Sequence, residues 1–135
     1  MENKISLKEV IKGFGEGTVA LEQLSMEVRP NEIVCLLGPS GCGKSTVLRM
    51  LAGLEKPSSG RVMLNGEELT HPSSSLSMVF QSFALFPWRT VLQNVEYGLE
   101  LRKVPKLERR DRALKLLVDV GLKGYESYYP RDLSG

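Results

Sequence analysis

Gly38-Pro39-Ser40-Gly41-Cys42-Gly43-Lys44-Ser45-Thr46 is the stretch on which the reading of the whole chain turns. It follows the apolar run Ile33-Val34-Cys35-Leu36-Leu37, read as a buried strand, and precedes Val47-Leu48-Arg49-Met50-Leu51-Ala52, read as a helix. Strand, glycine loop and helix in this order, with G-x-x-x-x-G-K-[ST] between them, make a phosphate-binding loop. Glycine lacks Cβ, so the main chain can curl and aim the N–H groups of Gly41 to Thr46 at a single point. The helix start adds its unpaired donors and the positive end of its dipole there. An anion suits that point. Lys44 is placed to reach the β- and γ-phosphates of a nucleotide, and the Ser45 hydroxyl to complete the oxygen shell of Mg²⁺.

The rest of the composition excludes more than it specifies. The chain has 135 residues, 41% of them hydrophobic, and a net charge of +2, enough for one modest domain and without the strong basic excess of a nucleic-acid binder. No apolar run approaches the 18 residues of a membrane span. Glu2, Lys4, Lys8 and Glu9 interrupt any signal-like N-terminus, so a cytosolic location is expected. Cys35 and Cys42 have neither disulfide-framework nor metal spacing, although Cys42, a thiol beside Lys44 at a helix start, is a candidate for reactivity. His71 falls in a polar loop and reads as surface.

Outward from the loop, Ile5 to Val10 and Thr18 to Val28 alternate as half-exposed strands. Between them Lys12-Gly13-Phe14-Gly15-Glu16-Gly17 is a turn that presents one aromatic ring, suited either to stacking on a base or to lying on the sheet edge. Asn31 suits a left-handed turn into the loop strand. Arg61 to Leu64 is a strand leading to the hairpin signal Asn65-Gly66, and Leu76 to Phe80 is a further strand ending at Gln81. Gln81 is polar and at a strand end, where it can touch Mg²⁺ or its water. Leu85-Phe86-Pro87-Trp88 places large apolar groups on a proline-containing loop and reads as a docking patch for another protein. Thr90 caps a helix from Val91, and Glu108 to Val120 forms a second. Leu116-Leu117-Val118-Asp119 imitates a metal-binding strand end, but Ala113, Leu116, Leu117 and Val120 recur at helical spacing.

The chain closes on Tyr129-Pro130-Arg131-Asp132-Leu133-Ser134-Gly135. Together with the phosphate loop and Val79-Phe80-Gln81, this resembles the ATP-binding subunit of ABC transporters, whose signature begins Leu-Ser-Gly-Gly. Leu85 to Trp88 followed by Thr90-Val91-Leu92-Gln93-Asn94-Val95 looks like bacterial importers of the nitrate, sulfonate and taurine group. The resemblance implies an α/β P-loop NTPase fold with an N-terminal antiparallel β part and the start of a helical subdomain, incomplete at the C-terminus. Residues 1–80 would be the β-rich and phosphate-loop core, 81–89 the glutamine loop, and 90–135 the helical part ending in the signature.

It also implies roles. ATP and Mg²⁺ would be the ligands: Gly38, Ser40, Gly41, Cys42, Gly43, Lys44, Ser45 and Thr46 would hold the phosphates, Phe14 would stack on adenine, and Ser45 and Gln81 would face the metal. Lys44 and Gln81 would act in hydrolysis, while Ser134 and Gly135 would touch the γ-phosphate held by a second ATPase subunit in a head-to-tail dimer. Residues 83–88 would meet the coupling helix of a membrane permease served by a separate solute-binding protein, at the cytoplasmic face of the inner membrane. The metal-binding aspartate, catalytic glutamate and switch histidine of such proteins lie beyond the signature, so this stretch alone is expected to bind ATP without useful hydrolysis. The rival readings are a soluble ABC-type ATPase, a non-catalytic nucleotide-binding module and an unrelated P-loop kinase.

Overall fold

The alternation near the N-terminus produces two long antiparallel strands, β1 (Ile5–Phe14) and β2 (Thr18–Val28). Leu7 and Val10 are both fully buried, yet three residues apart they would face opposite sides of a regular strand. A bulge reconciles them: the register shifts between Leu7 and Val10, and Glu9 takes φ 48°. The Glu9 amide freed by the bulge donates to Ser25 Oγ at 2.9 Å. Across β1 lies β3 (Ser59–Leu64), where Gly60 backs onto the bulge so closely that a Cβ would stand 2.3 Å from the Glu9 carbonyl oxygen. Asn65 and Gly66, at φ 54° and 87°, turn β3 into the short β4 (Glu67–Glu68), the geometry of a primed hairpin turn. The sheet order is β2-β1-β3-β4, antiparallel throughout.

The computed structural model describes residues 4–15, 18–82 and 84–133. They fall into two units, 1–78 and 79–135. The first is the sheet with helix α1 (Lys44–Leu51) laid on it. Val47 and Met50, three apart on one helical face, bury against Leu7, Val10 and Val62, with Leu21, Leu24, Met26 and Leu36 around them.

The second unit pairs α2 (Val91–Leu101) with α3 (Lys106–Asp119) over a core of Val91, Leu92, Ala113 and Leu117. The expected Thr90 cap is present as a reciprocal capping box: Thr90 Oγ1 accepts from the Gln93 amide, and the Gln93 side chain accepts from the Thr90 amide. Residues 116–119 are helical, as their spacing predicts, which disposes of the strand-like reading of Asp119. A single 3-10 turn, Pro130–Asp132, follows.

Two expected strands do not form. Ile33–Leu37 and Leu76–Phe80 are irregular, and among the described residues neither is paired in a sheet. Cys35 is accordingly exposed instead of buried, and Ile33, Leu37 and Val79 are more than 90% exposed. The physical reason is that a parallel strand is stable only between neighbours and under helices, and no described segment pairs with these two. Bare apolar segments with unused backbone donors are sites of self-association. The 135-residue chain by itself is therefore expected to unfold over a broad temperature range and to bind a hydrophobic dye before heating; a sharp, cooperative calorimetric transition would contradict this.

Candidate functional site

Helix α1 begins at Gly43, whose φ of 90° no side-chain-bearing residue adopts comfortably. A Cβ there would also lie 2.7 Å from both the Ala20 carbonyl oxygen and Leu21 Cδ2 of β2. Only glycine lets the loop sit down on that strand. The consequence is electrostatic, because a glycine N-cap offers no side-chain acceptor, and the first intrahelical bond is from the Val47 amide to Gly43 O at 2.9 Å. The amides of Lys44, Ser45 and Thr46 precede it and have no partner within the helix.

Helix α2 is finished differently. Its Val91 and Leu92 amides donate to the carbonyls of Tyr128 and Glu126 at 2.8 and 3.1 Å, and Gln93 donates to the Thr90 side chain. Every early donor of α2 has a protein acceptor, whereas α1 presents its donors outward. Lys44 adds a cation to the same rim: Nζ donates to the Gly38 and Pro39 carbonyls at 2.8 and 2.6 Å and lies 3.6 Å from Cys42 Sγ. Gly38, Ser40, Gly41 and Cys42 form the exposed lip, with the Cys42 amide donating weakly to Pro39 O at 3.4 Å. A rim of N–H donors and one ammonium, with no carboxylate in it, fits a polyphosphate. The exposed Ser45 hydroxyl at the helix start fits one position of a Mg²⁺ shell.

Phe14 ends β1 opposite Thr18 of β2, and the Gly43 contact is at Ala20 and Leu21 of the same strand. Two to three strand residues separate them, roughly 7–10 Å. The ring is half exposed, and Lys12 Nζ lies 4.9 Å from its centre. The start of α1 and the aromatic ring thus share β2 as their common support.

In the second unit Gln81 is exposed on an irregular stretch. Phe83, Ser134 and Gly135 lie outside the described residues. The expected patch after Gln81 is divided in its roles. Leu85 and Trp88 are exposed, Trp88 by 72%, but Phe86 is half-buried against Tyr97, their ring centres 4.6 Å apart. Arg89 stacks over both Phe86 and Tyr97 and donates to Glu100 at 2.7 Å, and that bond holds the Glu100 carboxyl below its ordinary titration range.

The residue missed in the sequence is Asn94. Its Oδ1 accepts from the Phe86 amide at 2.8 Å, while Nδ2 donates to the carbonyls of Phe86, Arg89 and Thr90 at 3.0 to 3.2 Å. An asparagine one turn into a helix is a weak helix former, and that was the available signal that its amide serves the preceding loop.

The family model for the ABC transporter matches residues 21–135. The chain belongs to the ABC transporter family. It is 46% identical over 138 residues to an uncharacterized ABC transporter ATP-binding protein of Methanocaldococcus jannaschii, covering 100% of this chain and 52% of that protein. It is 46% identical to the nitrate import ATP-binding protein NrtD of a Synechocystis strain, over 96% of this chain and 48% of NrtD. The Fe(3+) ions import ATP-binding protein FbpC of Escherichia coli is 43% identical, with 99% and 39% covered. The chain spans between 39% and 52% of the length of these curated relatives. Among solved structures, a dimeric post-hydrolysis state of the ATP-binding cassette MJ0796 bound to ADP and Pi superposes with a TM-score of 0.83 at 32% identity, covering 96% of this chain and 63% of that one. The fold is therefore that of an ABC ATPase, a P-loop NTPase with an antiparallel β part. Among the described residues no helix is long and apolar enough to cross a membrane.

Lys44→Ala is expected to abolish MgATP binding measured by titration calorimetry. Gly43→Ala should weaken it at least tenfold, about 1.4 kcal/mol, by lifting the loop off β2. Retained affinity in the lysine variant would remove the site assignment.

Proposed function

We propose that this chain is the ATP-binding part of a bacterial ABC import system of the nitrate, sulfonate and taurine type, in which ATP binding and hydrolysis power uptake. The observation that carries the reading is the uncapped α1 N-terminus, its outward amides joined by the Lys44 ammonium. Gly38, Ser40, Gly41, Cys42, Gly43, Lys44, Ser45 and Thr46 bind and orient the phosphates, and Phe14 stacks on the base. Ser45 and Gln81 are the residues that would hold Mg²⁺, which when bound neutralises charge on the phosphate oxygens. Lys44 and the main-chain donors stabilise charge that grows on those oxygens during transfer.

In this reading residues 1–80 are the nucleotide-binding core, 81–89 the glutamine loop whose residues 83–88 would meet the permease, and 90–135 the helical part, whose Ser134 and Gly135 would contact the γ-phosphate held by a second ATPase subunit. The dimeric state of the MJ0796 cassette supports a pairing of two ATPase subunits, read here as head-to-tail. Similarity to NrtD, named for nitrate import, supports the importer type. A second reading, ferric iron uptake, draws on FbpC proteins, of which that of Brucella abortus is 51% identical. Which solute accelerates ATP hydrolysis by the reconstituted transporter separates the two.

The permease surface is read at Leu85, Pro87 and Trp88, exposed on a loop that Asn94 and the Phe86-Arg89-Tyr97 stack hold still. Beside it a cleft of about 560 Å³ lined by Arg89, Gln93, Glu96 and Arg109 contains two buried polar atoms without partners, Glu96 Oε1 and Arg109 Nε. In this reading the complete ATPase sits peripherally at the cytoplasmic face of the inner membrane. Trp88→Ala should leave ATP affinity of the subunit unchanged and lower permease-coupled hydrolysis about tenfold or more, as loss of a buried aromatic anchor does. Full coupling in that variant would move the docking surface elsewhere.

A further inference from the structure

Lys12 has an arrangement that no role discussed above uses. Its side chain is only 11% exposed, although lysine normally keeps its ammonium in water. Nζ is ion-paired with Glu55 and donates to the Lys56 carbonyl at 2.8 Å. The same Nζ lies 4.9 Å from the centre of the Phe14 ring. Two further hydrogen bonds tighten the region: the Gly13 amide donates to Ser58 Oγ at 3.1 Å, and the Ser58 amide to Ile11 O at 2.8 Å. The end of β1 is therefore stapled to the turn that follows α1, the helix whose start forms the phosphate rim.

We infer that Lys12 is a positioning residue for nucleotide recognition: its ammonium, locked by Glu55, covers one face of Phe14 and fixes the ring so that the opposite face receives the base. The inference rests on the reading of Phe14 as the base platform. A phenyl ring at a strand end rotates freely unless one face is occupied, and ordering it on binding would cost affinity. A cation held over one face removes that freedom beforehand, and the half-exposed ring keeps surface available to a base. Glu55 neutralises the ammonium, so Lys12 contributes orientation to the base and little attraction to the phosphates.

Two probes separate these contributions. ATP carries base and phosphates, whereas inorganic tripolyphosphate carries only the part bound by the loop. On the complete polypeptide, Phe14→Ala should weaken ATP binding about tenfold and leave tripolyphosphate binding unchanged. Lys12→Met should weaken ATP about threefold to tenfold with tripolyphosphate again unchanged, Lys12→Arg should restore most of the loss, and Glu55→Gln, which keeps the size of the side chain, should reproduce it. If Phe14→Ala weakens ATP selectively while Lys12→Met and Glu55→Gln affect both probes equally or neither, the positioning role is overturned and the Phe14 platform stands. If Phe14→Ala itself shows no selectivity, the platform fails and the role of Lys12 fails with it. Should Lys12→Met not fold, the Glu55→Gln comparison decides the matter alone.

Discussion

The first turn of α1 leaves three backbone amides, those of Lys44, Ser45 and Thr46, with no acceptor inside the helix. The rest of the first unit is arranged around keeping them so. Gly43 supplies no side chain to cap them, and having no Cβ it can both take its left-handed conformation and let the loop rest on Ala20 and Leu21 of β2. That strand is held by its long pairing with β1, and α1 is anchored to both through Val47 and Met50. The same molecule shows what the alternative looks like: at α2, Thr90, Glu126 and Tyr128 use up the corresponding donors, and that helix end has nothing to offer a ligand. Every helix start carries the same unpaired donors; the two differ in their capping residue and in whether neighbouring carbonyls are routed to meet those donors.

Bulges carry the second constraint. A sheet that is solvated on one side needs its apolar residues in strict alternation, and β1 violates this between Leu7 and Val10. The insertion at Glu9 restores both to the core, with Ser25 taking the displaced amide and Gly60 giving room for the carbonyl. Downstream of that correction the strand delivers Lys12 and Phe14 to the turn after α1. The aromatic ring, its ammonium partner and the helix that opens the phosphate rim are thereby tied into one piece of structure.

Local chemistry was legible wherever it is decided by near neighbours in sequence. The Asn31 and Asn65-Gly66 turns, the Thr90 cap and the helical character of Leu116 to Asp119 all follow from rules that act within a few residues. Ile33 to Leu37 and Leu76 to Phe80 have the composition of buried strands, and composition is all that sequence gives; pairing is a property of two segments. The Leu85 to Trp88 patch was seen as uniform because hydrophobicity does not reveal that Phe86 turns inward to Tyr97 while Trp88 points out. Asn94 was overlooked for the same reason, since its partners are main-chain groups that carry no sequence signature.

The four bonds that Asn94 makes to Phe86, Arg89 and Thr90 have a mechanical meaning. A loop joined to solvent-exposed residues is ordinarily compliant and dissipates any push delivered to its tip. Here the tip is clamped to the second turn of α2 and braced by a guanidinium packed against two touching rings, so force arriving at Trp88 is passed to the axis of the helix as from the end of a short, stiff lever.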